Sequence, residues 1–147
     1  MITLHGVHNI RPNDALFAQV RALRYEVLFK SFGMPESMDF DDNDPDSMHL
    51  VVLDKGAVIG YGRLVRHGLE AQIRHVCVDP SQQGKGVGTE ILKALIARAR
   101  MVGANKVYLN ARFTAMGVYR KLGFQEVGGL IPAEDVSLPH KRMELEL

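Results

Sequence analysis

The passage that most constrains this chain runs from a strand pattern, through a glycine loop, into a long amphipathic helix. Residues 70–78 read EAQIRHVCV, Asp79-Pro80 stops them, and residues 82–88 read QQGKGVG with Thr89 next. From Val87 onward, Ile91, Leu92, Leu95, Ile96, Ala99 and Val102 recur at intervals of three and four, which predicts a helix with one apolar stripe. Gly103 is its natural stop. At such a junction the first helical N–H groups have no partner within the helix, and the helix dipole favours an anion there. Glycine lets a bulky phosphate approach the backbone. The spacing then selects among phosphate loops. The pattern G-x-x-x-x-G-K-[ST] fails because Lys85 is followed by Gly86. The pattern G-x-G-x-x-G, counted from Gly84, needs glycine where Thr89 stands. Its acidic residue roughly 20 positions further on is missing from NKVYLN. A tight strand-to-helix turn, with Lys85 in solvent, is the plainer alternative.

The rest of the chain frames that junction. Ile2 to Val7 suits a first strand. Asn13 suits a helix cap with Asp14 in the first turn, followed by Leu16, Phe17, Val20, Leu23, Val27 and Leu28 at helical spacing. Gly33 and Pro35 are expected to end that helix, and PESMDFDDNDPDS reads as an acidic loop. HLVVLD and AVIGYGRLVR predict a hairpin turning at Lys55-Gly56, and Gly68 leads into EAQIRHVCV. KVYLNA is a strand, TAMGVYRKLG a short helix ended by Gly123, and FQEVGGL and KRMELEL are further strands. The order β-α-β-β-β-α-β-α-β-β predicts a mixed sheet with helices packed on it, α/β or α+β by class.

Composition bounds the function. A chain of 147 residues, 46% apolar and 24% charged, suits one globular domain over 1–147. The net charge is +1 with no basic run, so no nucleic-acid surface is expected. No stretch reaches the ~18–20 apolar residues of a membrane span, and MITLHGVHNI lacks the pattern of a signal peptide. Cys77 is the sole cysteine, which excludes an intrachain disulfide and a cysteine-based metal site. The expectation is a cytoplasmic protein with no metal. The Asp39, Asp41, Asp42, Asp44 and Asp46 cluster lacks the glycine and the final glutamate of an EF-hand. It reads either as a solvated loop or as a flank that attracts a cationic amine.

The pattern that does fit the loop is Q-x-x-G-x-G, met by Gln83, Gly86 and Gly88 after VCVDP. With it, the chain resembles the GNAT superfamily of N-acetyltransferases, whose corresponding loop binds the pyrophosphate of acetyl-CoA. AMGVYRKLGF resembles that superfamily's A-x-x-[FL]-Y-x-K-x-G-F segment and supplies Tyr119 and the Leu122-Gly123-Phe124 turn. RYEVLF, GMP, DFDDND, GYGRLV and LPHKRM resemble the small bacterial ElaA-like acetyltransferases. Ser31-Phe32 depart from that pattern, where an acidic residue is often expected. The resemblance implies a central mixed sheet of about seven strands flanked by helices. It further implies an acetyl-CoA cosubstrate, an amine acceptor of small-molecule or peptide type, and a fold family in which homodimers form.

The resemblance also distributes roles. Val76, Cys77 and Val78 are expected to run beside the pantetheine arm, with the N–H of Val76 or Val78 polarising the acetyl carbonyl. Gln83, Gly84, Lys85, Gly86, Val87, Gly88 and Thr89 are expected to hold the pyrophosphate, mostly by backbone. Asn110 either holds the cofactor arm or caps the next helix. Tyr119 is the expected acid, because a phenol with an ordinary pKa near ~10 stays protonated at neutral pH. His75 and His140, then His49, are the candidate bases; His75 reads as sharing a strand face with Ile73 and Cys77. A water relay and a purely structural histidine remain alternatives. Cys77 is read as a buried apolar residue rather than a nucleophile. Arg24 and Arg63 either pair with the aspartates or bind an anionic part of a substrate. Two other functions compete. An acyl-homoserine-lactone synthase shares RYEVLF and GYGRLV, although this chain has no tryptophan. A non-catalytic acyl-CoA-binding module would keep the loop without needing Tyr119.

Overall fold

The computed structural model describes residues 6–30, 41–131 and 140–147. In chain order these form β1 (Val7–Ile10), α1 (Phe17–Arg24), β2 (Ser47–Asp54), β3 (Ala57–His67), β4 (Glu70–Val78), α2 (Val87–Met101), β5 (Lys106–Arg112), α3 (Met116–Lys121), β6 (Gln125–Ile131) and β7 (His140–Glu146). The order is the one the sequence predicts. Among the described residues the strands make one seven-stranded sheet, β1-β2-β3-β4-β5-β7-β6. Every neighbouring pair is antiparallel except β4 and β5. No described helix is long and apolar enough to cross a membrane.

The two-residue period of the strands sends alternate side chains to two apolar cores. Leu50, Val52, Ile59, Leu64 and Ile73 pack with Ile91, Leu92 and Leu95 of α2 on one face. Val51, Val58, Tyr61 and Cys77 pack with Phe17, Val20 and Leu23 of α1 on the other. Two glycines of β3 set how closely α2 lies. A Cβ on Gly60 would meet Ile91 and Val87 at 2.7 and 2.8 Å, and one on Gly62 would meet Ile91 and Leu95 at 2.7 Å. The glycines of GYGRLV therefore serve helix-to-sheet approach, which brings the start of α2 down onto the sheet.

Three local expectations change. The first strand runs Val7–Ile10, beyond Val7, and residues 1–5 lie outside the described set. Asn13 does not cap α1; the Asp14 carboxylate accepts from the Leu16 N–H instead, and α1 starts at Phe17. The regular helix ends at Arg24 and continues as a π-helical turn, Tyr25–Phe29. Such a turn widens the helix by one residue and shifts every side chain after it. Gly33, Pro35 and Asp39 lie outside the described residues.

Candidate active site

The site begins where the sheet opens. β4 and β5 pair only through Glu70–Gln72 and Lys106–Tyr108. At that closed end Lys106 of β5 reaches Glu144 at 3.1 Å and Glu70 at 3.8 Å, tying the neighbouring strands together. Beyond it the two strands part, and a cleft of about 920 Å³ occupies the gap. One wall is the β4 segment Ile73–Val78, whose β5-facing edge has lost its strand partner. Past residue 75 the backbone alternates. The Asp79 N–H points to β3, bonding the Ile59 carbonyl at 2.8 Å, so those of Val78 and Val76 face the cleft. Val76, Cys77 and Val78 are thus all on the cleft, the first and last by their N–H groups, while the Cys77 side chain is buried on the α1 face. Burial pushes the Cys77 thiol up to about 12, which suits an inert apolar residue.

The glycine loop closes one end. The Asp79 carboxylate accepts from the Ser81 N–H at 2.9 Å and caps the 3-10 turn Pro80–Gln82. Gln83 Nε2 donates to the Val78 carbonyl at 3.2 Å, folding the loop back on β4. Gly84 and Gly86 sit at φ +81° and +84°, a left-handed conformation that favours glycine, with open space where a Cβ would stand. Gly86 immediately precedes α2, so the free N–H groups of Val87, Gly88 and Thr89 open on the cleft. An extended ligand with paired amide groups and an anionic head would meet strand-edge donors first and a helix N-terminus second. Lys85 is not on the cleft wall; its ammonium points outward to Gln82 Oε1 at 3.5 Å.

The remaining lining comes from β5, α3, the start of β7 and the π-helical turn. Asn110, Arg112, Tyr119 and His140 all contribute to it. His140 pairs in register with Arg112 across β5–β7. Tyr119 sits edge-on to Phe124, ring centroids 5.9 Å apart. Burial raises its phenol above the ordinary value, with the Arg112 charge opposing, so it carries its proton at neutral pH. Arg112 donates from Nη2 to the Leu28 carbonyl at 3.1 Å, linking the end of β5 to the π-helical turn. That turn gives Val27, Leu28 and Phe29 to the cleft. In the sequence Val27 and Leu28 read as part of a plain helix stripe, Phe29 entered only within RYEVLF, and Arg112 was passed over. Alternation from Asn110 would have found Arg112, two residues on along the same strand; nothing local announces the π-helical turn.

Ile73, His75 and Cys77 do not all share one face. Across β3–β4, Tyr61 pairs with Cys77 but Arg63 with Arg74, so β4 carries one extra residue there, a β-bulge. His75 is that residue, at φ +56°. The bulge inverts the alternation, which is why Ile73 belongs to the α2 core and Cys77 to the α1 core. The His75 ring packs edge-on to Phe29 at 6.0 Å. Burial, then the nearby Arg74 charge, pushes its pKa down to about 3. It is a neutral imidazole at physiological pH.

His49 is not on the cleft at all. It is 2% exposed, on the α1 face. Nε2 lies 2.9 Å from the Asp42 carbonyl, which only accepts, so Nε2 carries the hydrogen. Nδ1, 2.7 Å from the Tyr61 hydroxyl, then accepts from it. Both nitrogens are engaged and no proton-abstracting role is open to it. Arg24 holds Asp42 by two bonds of 2.6 and 2.9 Å. Arg63 donates to the Asp41 carbonyl at 2.8 Å and to Ser47 Oγ at 2.7 Å. Of the two expectations for these arginines, pairing with the acidic loop is the one realised by these contacts. Asp44 and Asp46 are turn residues, the Asp44 carboxylate accepting from the Asp46 N–H at 2.8 Å. Among the described residues no cluster of His, Cys, Asp and Glu is arranged to hold a metal ion.

This geometry has relatives. The model of the "Acetyltransferase (GNAT) family" matches residues 17–124. The chain is 30% identical over 134 residues to the "uncharacterized N-acetyltransferase YjcF" of Bacillus subtilis (strain 168), covering 91% of this chain and 95% of that protein. Among solved structures, Escherichia coli ElaA superposes with a TM-score of 0.82 at 21% identity, over 97% of this chain and 100% of that one. An aminoglycoside 6′-N-acetyltransferase complexed with coenzyme A superposes with a TM-score of 0.81 at 16% identity, over 96% of each chain. The two structural likenesses establish a shared fold.

Proposed function

The chain belongs to the acetyltransferase (GNAT) family, and on that premise we propose that it transfers an acetyl group from acetyl-CoA to a primary amine by direct attack on the thioester. The observation that carries this reading is the unpaired β4 edge ending at the N-terminus of α2. An extended pantetheine arm adds to that edge as a further strand would, and its amides bond to backbone groups of Val76 and Val78. The pyrophosphate sits on the N–H groups of Gly86, Val87, Gly88 and Thr89, with Gly84 and Gly86 leaving room. The coenzyme A bound to the aminoglycoside acetyltransferase of like fold supports the choice of donor.

The bulge at His75 turns the Val76 N–H toward the thioester carbonyl, where it stabilises the charge that develops on oxygen. Tyr119 donates its proton to the leaving thiolate. Asn110 holds the arm from the β5 side. His140, at the start of β7, takes the amine proton directly or through water. His75 is too weak a base for that task, because a pKa of about 3 lies far below that of the amine it would have to deprotonate. Its part is to form the bulge. Lys85, in solvent, contributes charge and little contact. Residues 1–147 act as one catalytic domain.

Incubation with acetyl-CoA and a set of primary amines, followed by mass spectrometry of protein and small molecules, tests the reading. Acetylated amine with an unmodified chain is expected. A stable acetyl group on Cys77 would overturn direct attack. Tight acetyl-CoA binding with no acetylated amine would favour a binding module.

A further inference from the structure

The buried polar cluster behind β4 has no part in the reaction as described, and it is costly to build. Arg24, His49 and Arg63 are 3%, 2% and 1% exposed, and the side chain of Asp42, which joins them, is 13% exposed. Its placement is specific in two ways. Arg24 is the last residue of α1, directly before the π-helical turn whose Val27, Leu28 and Phe29 line the cleft. Tyr61 and Arg63 are the β3 residues that flank the register shift opposite the His75 bulge. Asp42 joins the two. Its carboxylate takes Arg24 with two bonds and lies 3.9 Å from Arg63 Nη1. Its carbonyl takes His49, which in turn accepts from the Tyr61 hydroxyl. The Arg24 guanidinium also lies over the Phe17 and Tyr61 rings at 5.7 and 5.6 Å.

The geometry points to Asp42 as a positioning residue that latches the π-helical wall of the cleft to the strand backing the β4 bulge. It touches no substrate. It acts through Arg24, which fixes where the widened turn begins, and through His49 and Tyr61, which fix β3 opposite His75. A paired, forked guanidinium has one arrangement, and a buried one has little room for another. The wall it holds, Val27 to Phe29, is a different part of the cleft lining from the glycine loop assigned to the pyrophosphate. The acceptor amine, not the donor, is therefore the ligand that feels the latch. This inference rests on the transferase reading only for its kinetic consequence.

Two variants separate the possibilities: Asp42→Asn, and Arg24→Lys, which keeps the charge and loses the fork. Both are compared with the wild type in the full chain. Per acetyl-CoA-binding site, kcat/KM for the acceptor is expected to fall by about tenfold or more, while the acetyl-CoA Kd stays within about threefold. Hydrogen exchange at the amides of residues 25–30 is expected to speed by about tenfold, with α2 protection unchanged. Equal losses in donor affinity and acceptor turnover would mark a general structural residue and overturn the proposal. So would unchanged exchange at 25–30 in Arg24→Lys, the variant better able to fold. Wild-type protein that binds acetyl-CoA yet acetylates no amine would overturn the transferase reading alone, and the exchange result then decides the latch.

Discussion

At the scale of single residues the proposed chemistry rests on the glycine loop, Tyr119 and His140. A side chain at Gly86 must adopt φ near +84°, which costs roughly 1–2 kcal/mol, and it would fill the open space proposed for the phosphates. Gly86→Val is expected to weaken acetyl-CoA binding by more than about tenfold in a titration, and Lys85→Ala by about threefold or less. Tyr119→Phe is expected to lower kcat by about 10²-fold while the KM for acetyl-CoA moves little. The histidines separate on variants. Asparagine tolerates a left-handed conformation, so His75→Asn keeps the bulge and is expected to hold kcat within about threefold. His140→Gln is expected to lower kcat by about tenfold or more. A larger loss in His75→Asn than in His140→Gln would make His75 the base after all. Most of these residues were legible in the sequence, because a glycine at a turn and a tyrosine in a helix motif keep their spacing. The bulge was not. Strict alternation put Ile73, His75 and Cys77 on one face, and a single inserted residue reverses that without changing composition.

At the scale of elements, the approach of α2 to β3 sets the height of the α2 N-terminus over the sheet. Gly62→Ala puts a methyl 2.7 Å from side-chain atoms of Ile91 and Leu95, both fully buried, so these side chains or α2 must shift. Overpacking of this kind costs about 1–3 kcal/mol. Urea unfolding of Gly62→Ala is expected to show that loss together with weaker acetyl-CoA binding. A loss of stability without a loss of affinity would mean that α2 does not register the pyrophosphate site through β3. The element order and nearly every strand were readable, because the amphipathic stripe of α2 and the hairpin turn at Lys55-Gly56 are strong local signals. The π-helical turn was not, since Val27 and Leu28 continue the three-and-four spacing across it. The sequence analysis took the first cap to be Asn13, but Asp14 closes a tighter turn onto Leu16.

For the whole molecule the buried charges decide how the fold meets acid. Burial, with the surrounding arginine charges, holds His49 below its usual range, and His75 lies at about 3. Burial alone would raise Asp42, but the bonds and charge of Arg24 hold it lower than an ordinary aspartate. All three shifts point down, so the unfolded chain binds more protons and stability falls as pH drops. The histidines make themselves felt below about 6.5 and Asp42 below about 4. The urea midpoint is expected to fall steadily from pH 7 to pH 5, and His75→Asn to flatten that fall. Pairing of Arg24 and Arg63 with the aspartates was one of two readings open in the sequence, but its burial was not legible, because DFDDND reads as a solvated loop or as a flank for a cationic amine. The ion pair that reaches inward depends on strands and a helix far apart in the chain.

Acetyl is proposed to leave coenzyme A at the opened edge of β4 and to arrive on an amine. Free coenzyme A thiol and acetylated amine, measured together over one time course, decide whether it does. Equal amounts of the two, with both rates cut in parallel by Tyr119→Phe, are predicted. Thiol released without acetylated amine, at a rate untouched by the tyrosine, would contradict it.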